Sequence, residues 1–445
     1  MTRPRLNLAT AGRGGDRPGI GIVHLGLGAF HRAHQAVLTM RAMAAEPGDW
    51  AICAVGQRNP AVADALTAQD GLFTVAERSA AGERIEVVDS VREALLAPAQ
   101  PERLTTLLSE VDVVTITVTE SGYRHDPATG RLRADDPEVA ADLAGRPPRT
   151  VVGQLVGGLR RRRGESGPTV LSCDNLPFNG RLVAGLVREF CLLREEFDLA
   201  DRIAANVTFP STVVDQIVPA TTAADLAHVA GELGFDDRAA VVGEPYRQWV
   251  IEDDFAGARP AWERAGAELV GDIAPRQAAK LRLLNGTHSA LAYLGMLAGC
   301  DSTAAAVARD EFAGYVCRLV GEETGPSLAR FGIDVGEREI DTLLDRLGNP
   351  RITHRLAQIG TDGARKLPQR LLEPAAELLT AGREPRLICL ALAGFLRHER
   401  LSALDFVPAE LAANPVFGEL LADAATRLDR DGVATTLRKV LDERS

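Results

Sequence analysis

The fold of the first domain is decided by the stretch Gly19-Ile-Gly-Ile-Val-His-Leu-Gly-Leu-Gly-Ala-Phe-His-Arg-Ala-His34. Its short apolar run ends at Leu25 and predicts a buried β-strand. Gly26 and Gly28 follow, and a helical pattern begins at Phe30. This order of strand, GxG turn and helix is typical of a dinucleotide-binding turn. Gly26 would permit the tight turn, Gly28 would let the backbone approach a pyrophosphate, and the helix N-terminus would offer N–H donors.

Apolar runs and helical stretches alternate along the next part of the chain. Further strands are predicted at Trp50–Val55, Val111–Val118 and Thr169–Cys173, with helical stretches between them. Strands that alternate with helices indicate βαβ units and a mostly parallel sheet. After residue 272 amphipathic helical stretches dominate. We therefore predict an α/β protein: a flexible lead-in over 1–18, a Rossmann-type dinucleotide-binding domain over 19–270 and a mostly α-helical substrate and catalytic domain over 271–445.

Composition restricts the class of function. The 445 residues are 46% hydrophobic and 25% charged, as in a soluble globular protein, and the net charge is -11. The acidic balance disfavours binding to nucleic acid or to an anionic membrane surface. The six cysteines form no CxxC pair, so we expect no zinc site and no disulfide framework. Without a signal-peptide or transmembrane pattern, we expect a cytoplasmic protein.

The end of the second predicted strand bears on the choice of cofactor. Val55-Gly-Gln-Arg-Asn-Pro60 contains no acidic residue where many dinucleotide sites place one to bind the ribose. Arg58 could stack on adenine or accept a 2′-phosphate, or it could be a solvated loop residue. The residues alone leave NAD and NADP open.

A lysine-containing stretch, Lys280-Leu-Arg-Leu-Leu-Asn-Gly-Thr-His288, opens the helical domain. On a regular α-helix, positions 280, 284 and 288 share a face, and 285 lies three residues before 288. A desolvated lysine there could exchange a proton with a substrate hydroxyl, and Asn285 could stabilise a developing alkoxide. The spacing by itself favours a solvated helix over a catalytic group.

Two other polar groups stand in apolar surroundings. Asp174 and Asn175 end the predicted strand at Thr169–Cys173, at the carboxyl edge where α/β sheets bind ligands. Asp215 lies inside an apolar run, where a buried acid requires a partner, so a structural ion pair is as good an interpretation as a ligand site.

These motifs, in this order, resemble the polyol-specific long-chain dehydrogenase family, which includes mannitol 2-dehydrogenase and fructuronate reductase. The resemblance covers about residues 19 to 400. The matching stretches are Gly26-Leu-Gly-Ala-Phe-His-Arg-Ala-His34, Thr117-Val-Thr-Glu-Ser-Gly-Tyr123, Ser172-Cys-Asp-Asn175, Phe209-Pro-Ser-Thr-Val-Val-Asp215, Glu244-Pro-Tyr-Arg-Gln-Trp-Val-Ile-Glu-Asp253, Lys280-Leu-Arg-Leu-Leu-Asn-Gly-Thr-His288 and Lys366-Leu-Pro-Gln-Arg-Leu-Leu372.

The resemblance implies an NAD(P)-dependent, metal-free oxidoreductase with its active site between a Rossmann-type domain and a helical domain. It implies that Lys280 is the general acid/base and that Asn175 and Asn285 polarise the reacting oxygen. It also implies that Asp215, His288 and Lys366 line the substrate site, and we add Arg370 and Gln358 as candidates. The predicted cofactor-binding residues are Gly26, Gly28, Phe30, His31, Arg58, Thr119, Glu120 and Asn175.

Two positions depart from the family pattern. Gln277 stands where members often carry a glutamate three residues before the lysine, so a proton relay through that position is in doubt. Gln358 stands where mannitol-type members carry an arginine. Together with Lys366-Leu-Pro-Gln-Arg370, this glutamine resembles the fructuronate reductase branch. Arg370 could pair with a uronate carboxylate through two parallel N–H donors, or it could be a surface or ion-paired arginine.

The expected reaction is the reversible, NAD-dependent reduction of D-fructuronate to D-mannonate, with NADP not excluded. A mannitol- or arabinitol-type polyol dehydrogenase is the alternative within the same chemistry. A catalytically inactive nucleotide-sensing protein is the alternative of another class. We expect a monomer or weak homo-oligomer that acts on a small sugar acid or polyol.

Overall fold

The apolar run after Gly19 forms the central strand of a parallel sheet in the computed structural model, which describes residues 3–164 and 166–443. The chain divides into two units. The first runs to Arg78 and from Gly82 to Ile273, and the second comprises Ser79–Ala81 and the chain from Ala274 onward. None of the described helices is long and apolar enough to span a lipid bilayer.

The first unit contains the strands of the structure. They are β1 (Ile20–Leu25), β2 (Ala51–Gly56), β3 (Phe73–Ser79), β4 (Gly82–Val88), β5 (Val91–Leu96), β6 (Val113–Ile116), β7 (Thr169–Ser172), β8 (Thr212–Asp215), β9 (Val241–Gly243), β10 (Gln248–Glu252) and β11 (Glu268–Val270). The main sheet has the order β5-β2-β1-β6-β7, and every neighbouring pair is parallel. Strands β2, β6 and β7 are buried along their length, which accounts for their continuous apolar character.

Helices flank this sheet and join its parallel strands. They are α1 (Ala29–Ala33), α2 (Gln35–Ala45), α3 (Ala61–Ala68), α4 (Pro101–Glu110), α5 (Pro137–Leu143), α6 (Val151–Arg161), α7 (Asn179–Leu193), α8 (Phe197–Asn206) and α9 (Ala223–Leu233). Two three-stranded sheets, β11-β10-β8 and β4-β3-β9, complete the first unit. None of these six strands was predicted from the sequence, although β3 and β4 are seven residues long.

The N-terminal segment differs from the flexible lead-in that the sequence predicts. Leu6 is fully buried, and its amide donates to the Asp236 carbonyl at 2.9 Å. The Arg17 guanidinium donates to backbone carbonyls that include those of Asp70 at 2.8 Å and Val91 at 2.6 Å. The Gly- and Arg-rich composition gives no indication of these hydrogen bonds, because their acceptors are backbone oxygens distant in sequence. Residues 1 and 2 of the predicted lead-in lie outside the described residues.

The second unit is helical, as predicted. Its helices are α10 (Ala274–Ala279), α11 (Gly286–Leu297), α12 (Thr303–Val307), α13 (Asp310–Arg318), α14 (Glu337–Leu347), α15 (Leu356–Ile359), α16 (Gly363–Leu367), α17 (Glu373–Thr380), α18 (Arg386–Glu399), α19 (Ala409–Ala412) and α20 (Pro415–Asp442). Helices α11 and α18 are buried along most of their length and pack against each other in the core. Three π-helical segments interrupt the α-helical pattern: Lys280–Asn285, Leu319–Thr324 and Pro368–Leu372.

Candidate active site

The glycine turn follows β1 with a conformation that requires glycine. Gly26 has φ +113°, and a Cβ there would lie 1.9 Å from the Thr117 carbonyl oxygen. Gly28 is exposed, and a Cβ there would meet nothing nearer than the Gly26 oxygen at 3.9 Å. Helix α1 begins at the next residue, Ala29. The turn thus leaves room beside backbone amides, which is what a dinucleotide pyrophosphate requires.

Phe30 and His31, which are both predicted to bind the cofactor, differ in their exposure and in their ring contacts. Phe30 is partly exposed and stacks on His34 with ring centroids 5.0 Å apart. His31 is fully buried, and its ring lies flat on the ring of His24 with centroids 3.4 Å apart. The His31 side chain therefore faces the strand beneath the turn. Its role at the cofactor stays a prediction.

The end of β2 carries no charge apart from Arg58, which is exposed. The neighbouring Gln57 amide exchanges two hydrogen bonds with Gln154, at 2.9 and 3.1 Å. Asn59 uses its side-chain oxygen to accept from the Ala61 amide at 2.9 Å, so this oxygen is engaged in starting α3. No carboxylate stands here to repel a 2′-phosphate, in agreement with the sequence.

Asp174 organises the loop that follows β6. One carboxylate oxygen accepts from the Thr119 amide at 2.8 Å, and the other accepts from the Val118 amide at 2.9 Å and the Tyr123 hydroxyl at 2.7 Å. Burial raises the pKa of this carboxyl group. Thr119 is held at φ 67° and ψ 165°, a conformation that costs a non-glycine residue about 1–3 kcal/mol. Asp174 pulls the chain out of the sheet, so β6 ends before the predicted Val118.

The other predicted residues of the first unit lie at strand ends. Asn175 is exposed just after β7, and Asp215 is the buried last residue of β8, opposite Gln248 on β10. Thr119 is exposed, and Glu120 is partly exposed at the start of a 3₁₀ turn. The predicted roles of these side chains stay predictions.

The lysine stretch of the second unit is π-helical rather than α-helical. In a π-helix the hydrogen bond spans five residues rather than four, so the side chains of this turn do not keep the angular spacing of a regular α-helix. Leu284 is buried in the hydrophobic core, whereas Lys280 is partly exposed. The α-helical spacing assumed in the sequence analysis was therefore wrong for this turn. Single-turn π segments of this kind occur often at functional sites.

A buried arginine anchors the π segment. Arg282 donates to both carboxylate oxygens of Glu377, at 2.5 and 2.8 Å, and to the carbonyl and hydroxyl of Ser327 at 2.9 and 3.0 Å. Paired and hydrogen-bonded on several sides, this guanidinium ties the segment to α17. Arg282 could not be singled out from the sequence, because its partners are 45 and 95 residues away.

Asn285 and His288 present buried polar atoms that lack a partner among the described residues. These atoms are Asn285 Nδ2 and His288 Nε2. Burial lowers the pKa of His288 well below its usual value, and the neighbouring His354, Arg346, Arg370 and Lys280 lower it further. His288 is therefore neutral at pH 7. Buried polar atoms without a protein partner in such a place suit a polar ligand.

Arg370 lies on the π segment Pro368–Leu372 and is buried. Its guanidinium donates to the Ser289 hydroxyl at 3.0 Å and, more weakly, to the Asn285 carbonyl at 3.5 Å. The structure thus brings Arg370 together with Asn285 and His288. Arg370 is not the surface residue that the sequence analysis left open as an alternative.

Gln358 and Lys366 lie on the short helices α15 and α16. Gln358 is exposed, and the Lys366 ammonium donates to the Thr361 carbonyl at 2.6 Å. Helices α15 and α16 and the two π segments that carry Lys280 and Arg370 all pack against α11. Helix α11 is therefore the common support of the predicted residues of the second unit.

Two residues near His288 were missed by sequence reasoning. His354 packs edge-on against the His288 ring with centroids 4.7 Å apart, and Ser289 bonds Arg370. Ser289 directly follows the quoted lysine motif and could have been found from it. His354 gives no sequence signal, because only folding brings it to α11. The six cysteines are free, and among the described residues no cluster of His, Cys, Asp or Glu could hold a metal ion.

Comparison with known families agrees with this geometry. Residues 20–264 match the mannitol dehydrogenase Rossmann domain, and residues 272–436 match the mannitol dehydrogenase C-terminal domain. The chain belongs to the mannitol dehydrogenase family. The predicted oxidoreductase class and the predicted fold class are thereby confirmed.

Relatives within the mannitol dehydrogenase family carry different substrate names. The chain is 39% identical over 406 residues to D-mannonate oxidoreductase of Escherichia coli (strain K12), covering 88% of this chain and 83% of the relative. It is 37% identical over 417 residues to mannitol 2-dehydrogenase of Pyrenophora tritici-repentis (strain Pt-1C-BFP), covering 91% and 73%. These identities are too close to decide the substrate.

A solved structure of the mannitol dehydrogenase family shows the same fold. Pseudomonas fluorescens mannitol 2-dehydrogenase, in a ternary complex with NAD and D-mannitol, superposes with a TM-score of 0.83 at 32% identity. The match covers 99% of this chain and 96% of that chain. The predicted use of NAD agrees with this related complex.

Proposed function

We propose that this member of the mannitol dehydrogenase family catalyses the reversible, NAD-dependent reduction of a keto sugar acid, D-fructuronate, to D-mannonate. One observation carries the choice of a sugar acid. The buried Arg370 guanidinium stands beside Asn285 and Ser289, in a region where Lys280 and Arg346 add positive charge around His288.

An excess of buried and partly buried cations favours an anionic substrate. A carboxylate entering beside Arg370 would accept charge-assisted hydrogen bonds, which are roughly twice as strong as neutral ones. A neutral polyol would gain no such interaction. The similarity to D-mannonate oxidoreductase supports this proposal, and the comparable similarity to mannitol 2-dehydrogenases supports the alternative.

The side chains of the second unit supply acid–base chemistry. When bound, NAD would accept a hydride from the carbinol carbon in the oxidation, and NADH would donate a hydride to the keto carbon in the reduction. In the reduction, the Lys280 ammonium gives its proton to the carbonyl oxygen as that oxygen becomes a hydroxyl. Asn285 Nδ2 donates to the same oxygen and stabilises its developing negative charge. Neutral His288 orients a neighbouring hydroxyl.

One assay with a panel of substrates distinguishes the three hypotheses about function. Purified enzyme is offered D-fructuronate and D-fructose with NADH, D-mannonate, D-mannitol and D-arabinitol with NAD, and the same five compounds with the phosphorylated cofactors. Turnover confined to the sugar acids supports the proposal. Preference for mannitol or arabinitol establishes the polyol alternative. Binding of NADH without turnover of any sugar establishes the nucleotide-sensing alternative.

Arg370 variants test the residue that carries the proposal. Arg370→Ala should lower kcat/KM for D-fructuronate by about tenfold to a hundredfold and change that for D-fructose little, because a charge-assisted hydrogen bond is lost. Arg370→Lys should recover only part, since an ammonium cannot bind a carboxylate through two parallel donors. Arg386→Ala, which removes an exposed arginine from α18, is the control. Equal losses on both sugars would contradict the assignment.

A further inference from the structure

The apolar strand β1 carries a histidine at its centre. His24 is fully buried, and its Nε2 atom lies 2.9 Å from the Gly26 carbonyl oxygen and 2.8 Å from the Thr117 hydroxyl. Its Nδ1 atom lies 2.7 Å from the Thr115 hydroxyl. Both nitrogens of a buried ring are thus engaged, and they join β1, the glycine turn and β6.

The acceptors around His24 determine its tautomer. A carbonyl oxygen only accepts, so the proton facing Gly26 must reside on Nε2. Nδ1 then carries the lone pair and accepts from the Thr115 hydroxyl. Burial lowers the pKa of His24 to about 3, so the ring stays neutral at physiological pH. One tautomer of one charge state therefore faces the turn.

The carbonyl group of Gly26 is the point at which these contacts meet. It accepts from His24 Nε2, from the Thr117 hydroxyl at 2.9 Å and from the Gly28 amide at 2.7 Å. Three donors on one oxygen leave the Gly26 peptide a single orientation. That peptide is the one that turns the chain from β1 toward α1, where a dinucleotide pyrophosphate would bind.

The stacked ring of His31 explains why no third glycine is needed. A GxGxxG turn has glycine at this place so that helix and strand can approach closely. Here the His31 ring fills the gap and lies on His24 with an interplanar angle of 10°. Burial and the neighbouring His24 lower the pKa of His31, so two neutral rings are in contact.

We propose that His24 is a positioning residue for dinucleotide binding, which acts by holding the Gly26 carbonyl through Nε2 and by supporting the His31 ring. The proposal rests on the proposed function only in requiring a dinucleotide site at this turn. It does not depend on which sugar is the substrate.

The test measures NADH binding without sugar, by calorimetric titration of the full-length protein. His24→Phe keeps a flat ring against His31 but removes both nitrogens, and we expect the Kd for NADH to rise about tenfold because a buried acceptor loses a donor. Thr117→Val removes the second side-chain donor to the same carbonyl and should raise the Kd in the same direction. His24→Gln, which retains a terminal N–H donor, should lie between His24→Phe and the wild type.

A matched control separates positioning from general destabilisation. Gln69→Leu also removes side-chain hydrogen bonds in the first unit, to the Leu72 carbonyl, the Asp237 carboxylate and the Arg238 amide. It should lower the Tm and leave the Kd for NADH unchanged. In the His24→Phe enzyme, kcat at saturating NADH should stay near the wild-type value while the KM for NADH rises.

Two results would refute this role of His24. One is a wild-type Kd for NADH in both His24→Phe and Thr117→Val. The other is a rise of the Kd in Gln69→Leu equal to that in His24→Phe. If His24→Phe does not fold, an unchanged Kd in Thr117→Val decides against the proposal. An enzyme that prefers polyols would refute the proposed substrate but leave this result standing, because no sugar enters the titration.

Discussion

The glycine turn of the first unit differs in charge and construction from the Lys280–Arg370 region of the second. That region comprises Lys280, Asn285, His288 and Arg370. At the turn, the backbone of Gly26 and the rings of His24 and His31 are buried, neutral and fixed by close contacts. In the Lys280–Arg370 region, the basic residues Lys280, Arg346 and Arg370 lie around neutral His288, and the buried Asn285 Nδ2 atom has no partner among the described residues.

This difference indicates what each region has to recognise. A pyrophosphate is bound chiefly by backbone amides, so the protein must hold the main chain rigid. A sugar varies in its hydroxyl and carboxylate groups, so it must be read by side chains that the fold leaves available. Unsatisfied buried donors cost free energy in the absence of a ligand, and a bound substrate would recover that cost.

The largest expected effect comes from removing the proposed general acid. Lys280→Ala should lower kcat by about 10²–10⁴-fold, because general acid–base catalysis is typically worth that much. The Kd for NADH should stay near the wild-type value, because we expect the glycine turn of the first unit, and not Lys280, to bind the dinucleotide. Lys439→Ala, on α20, serves as the control because this lysine pairs with Asp431 at the surface. Near-normal turnover in Lys280→Ala would refute the assignment.

Two glycine substitutions in the turn should weaken NADH binding by different mechanisms. Gly26→Ala should lower the free energy of unfolding by about 3 kcal/mol or more and weaken NADH binding, because its Cβ would clash with Thr117 at a positive φ. Gly28→Ala should leave the Tm unchanged and weaken NADH binding only, since its Cβ has open space in the unliganded chain. Equal Tm values for the two variants would show that the turn is not held as described.

A buried acid in the second unit predicts how stability depends on pH. Glu323 accepts from the Leu387 and Ile388 amides at 2.7 and 2.8 Å, and burial raises its pKa from 4.5 to about 7. An acid with a raised folded-state pKa binds its proton more tightly in the folded state, so stability falls as the pH rises from about 4.5 to 7. The shift corresponds to at most about 3 kcal/mol.

Glu323→Gln should remove this dependence. The difference in unfolding free energy between the variant and the wild type should shift in favour of the variant as the pH rises from 5 to 8, measured by urea denaturation. Losing one charged acceptor adds an offset that does not depend on pH. Tyr315→Phe, which removes a buried hydrogen bond to the Leu387 carbonyl but no acid, is the control and should keep the wild-type pH trend. A parallel pH profile for Glu323→Gln and the wild type would contradict the raised pKa.

The smallest effect is expected at the adenine side of the turn. We expect NAD to be preferred over NADP, and Arg58→Ala to change kcat/KM for NAD by only about twofold, because Arg58 is exposed. Steady-state kinetics with both cofactors test this. A strong preference for NADP that disappears in Arg58→Ala would instead give this guanidinium a phosphate-binding role.

Much of the architecture could be predicted from local pattern. The apolar run before Gly26 and the loss of such runs after residue 272 were sufficient to predict a parallel sheet followed by a helical part, because strands buried on both faces are apolar throughout. The short strands β8 to β11 were missed, because three to five residues carry too little periodicity. The N-terminal segment was wrongly predicted to be flexible, because its partners are distant backbone carbonyls.

The sequence by itself determined the family, the glycine turn and the identities of Lys280, Asn285 and Arg370, because these signals are local motifs in a fixed order. Only the tertiary structure decided the π-helical turn at Lys280, the burial of Arg370 and the stacking of His24 on His31. The physical reason is that each of these depends on packing. A π turn, a desolvated guanidinium and a face-to-face ring pair persist only where neighbouring elements surround them, and those neighbours come from remote parts of the chain.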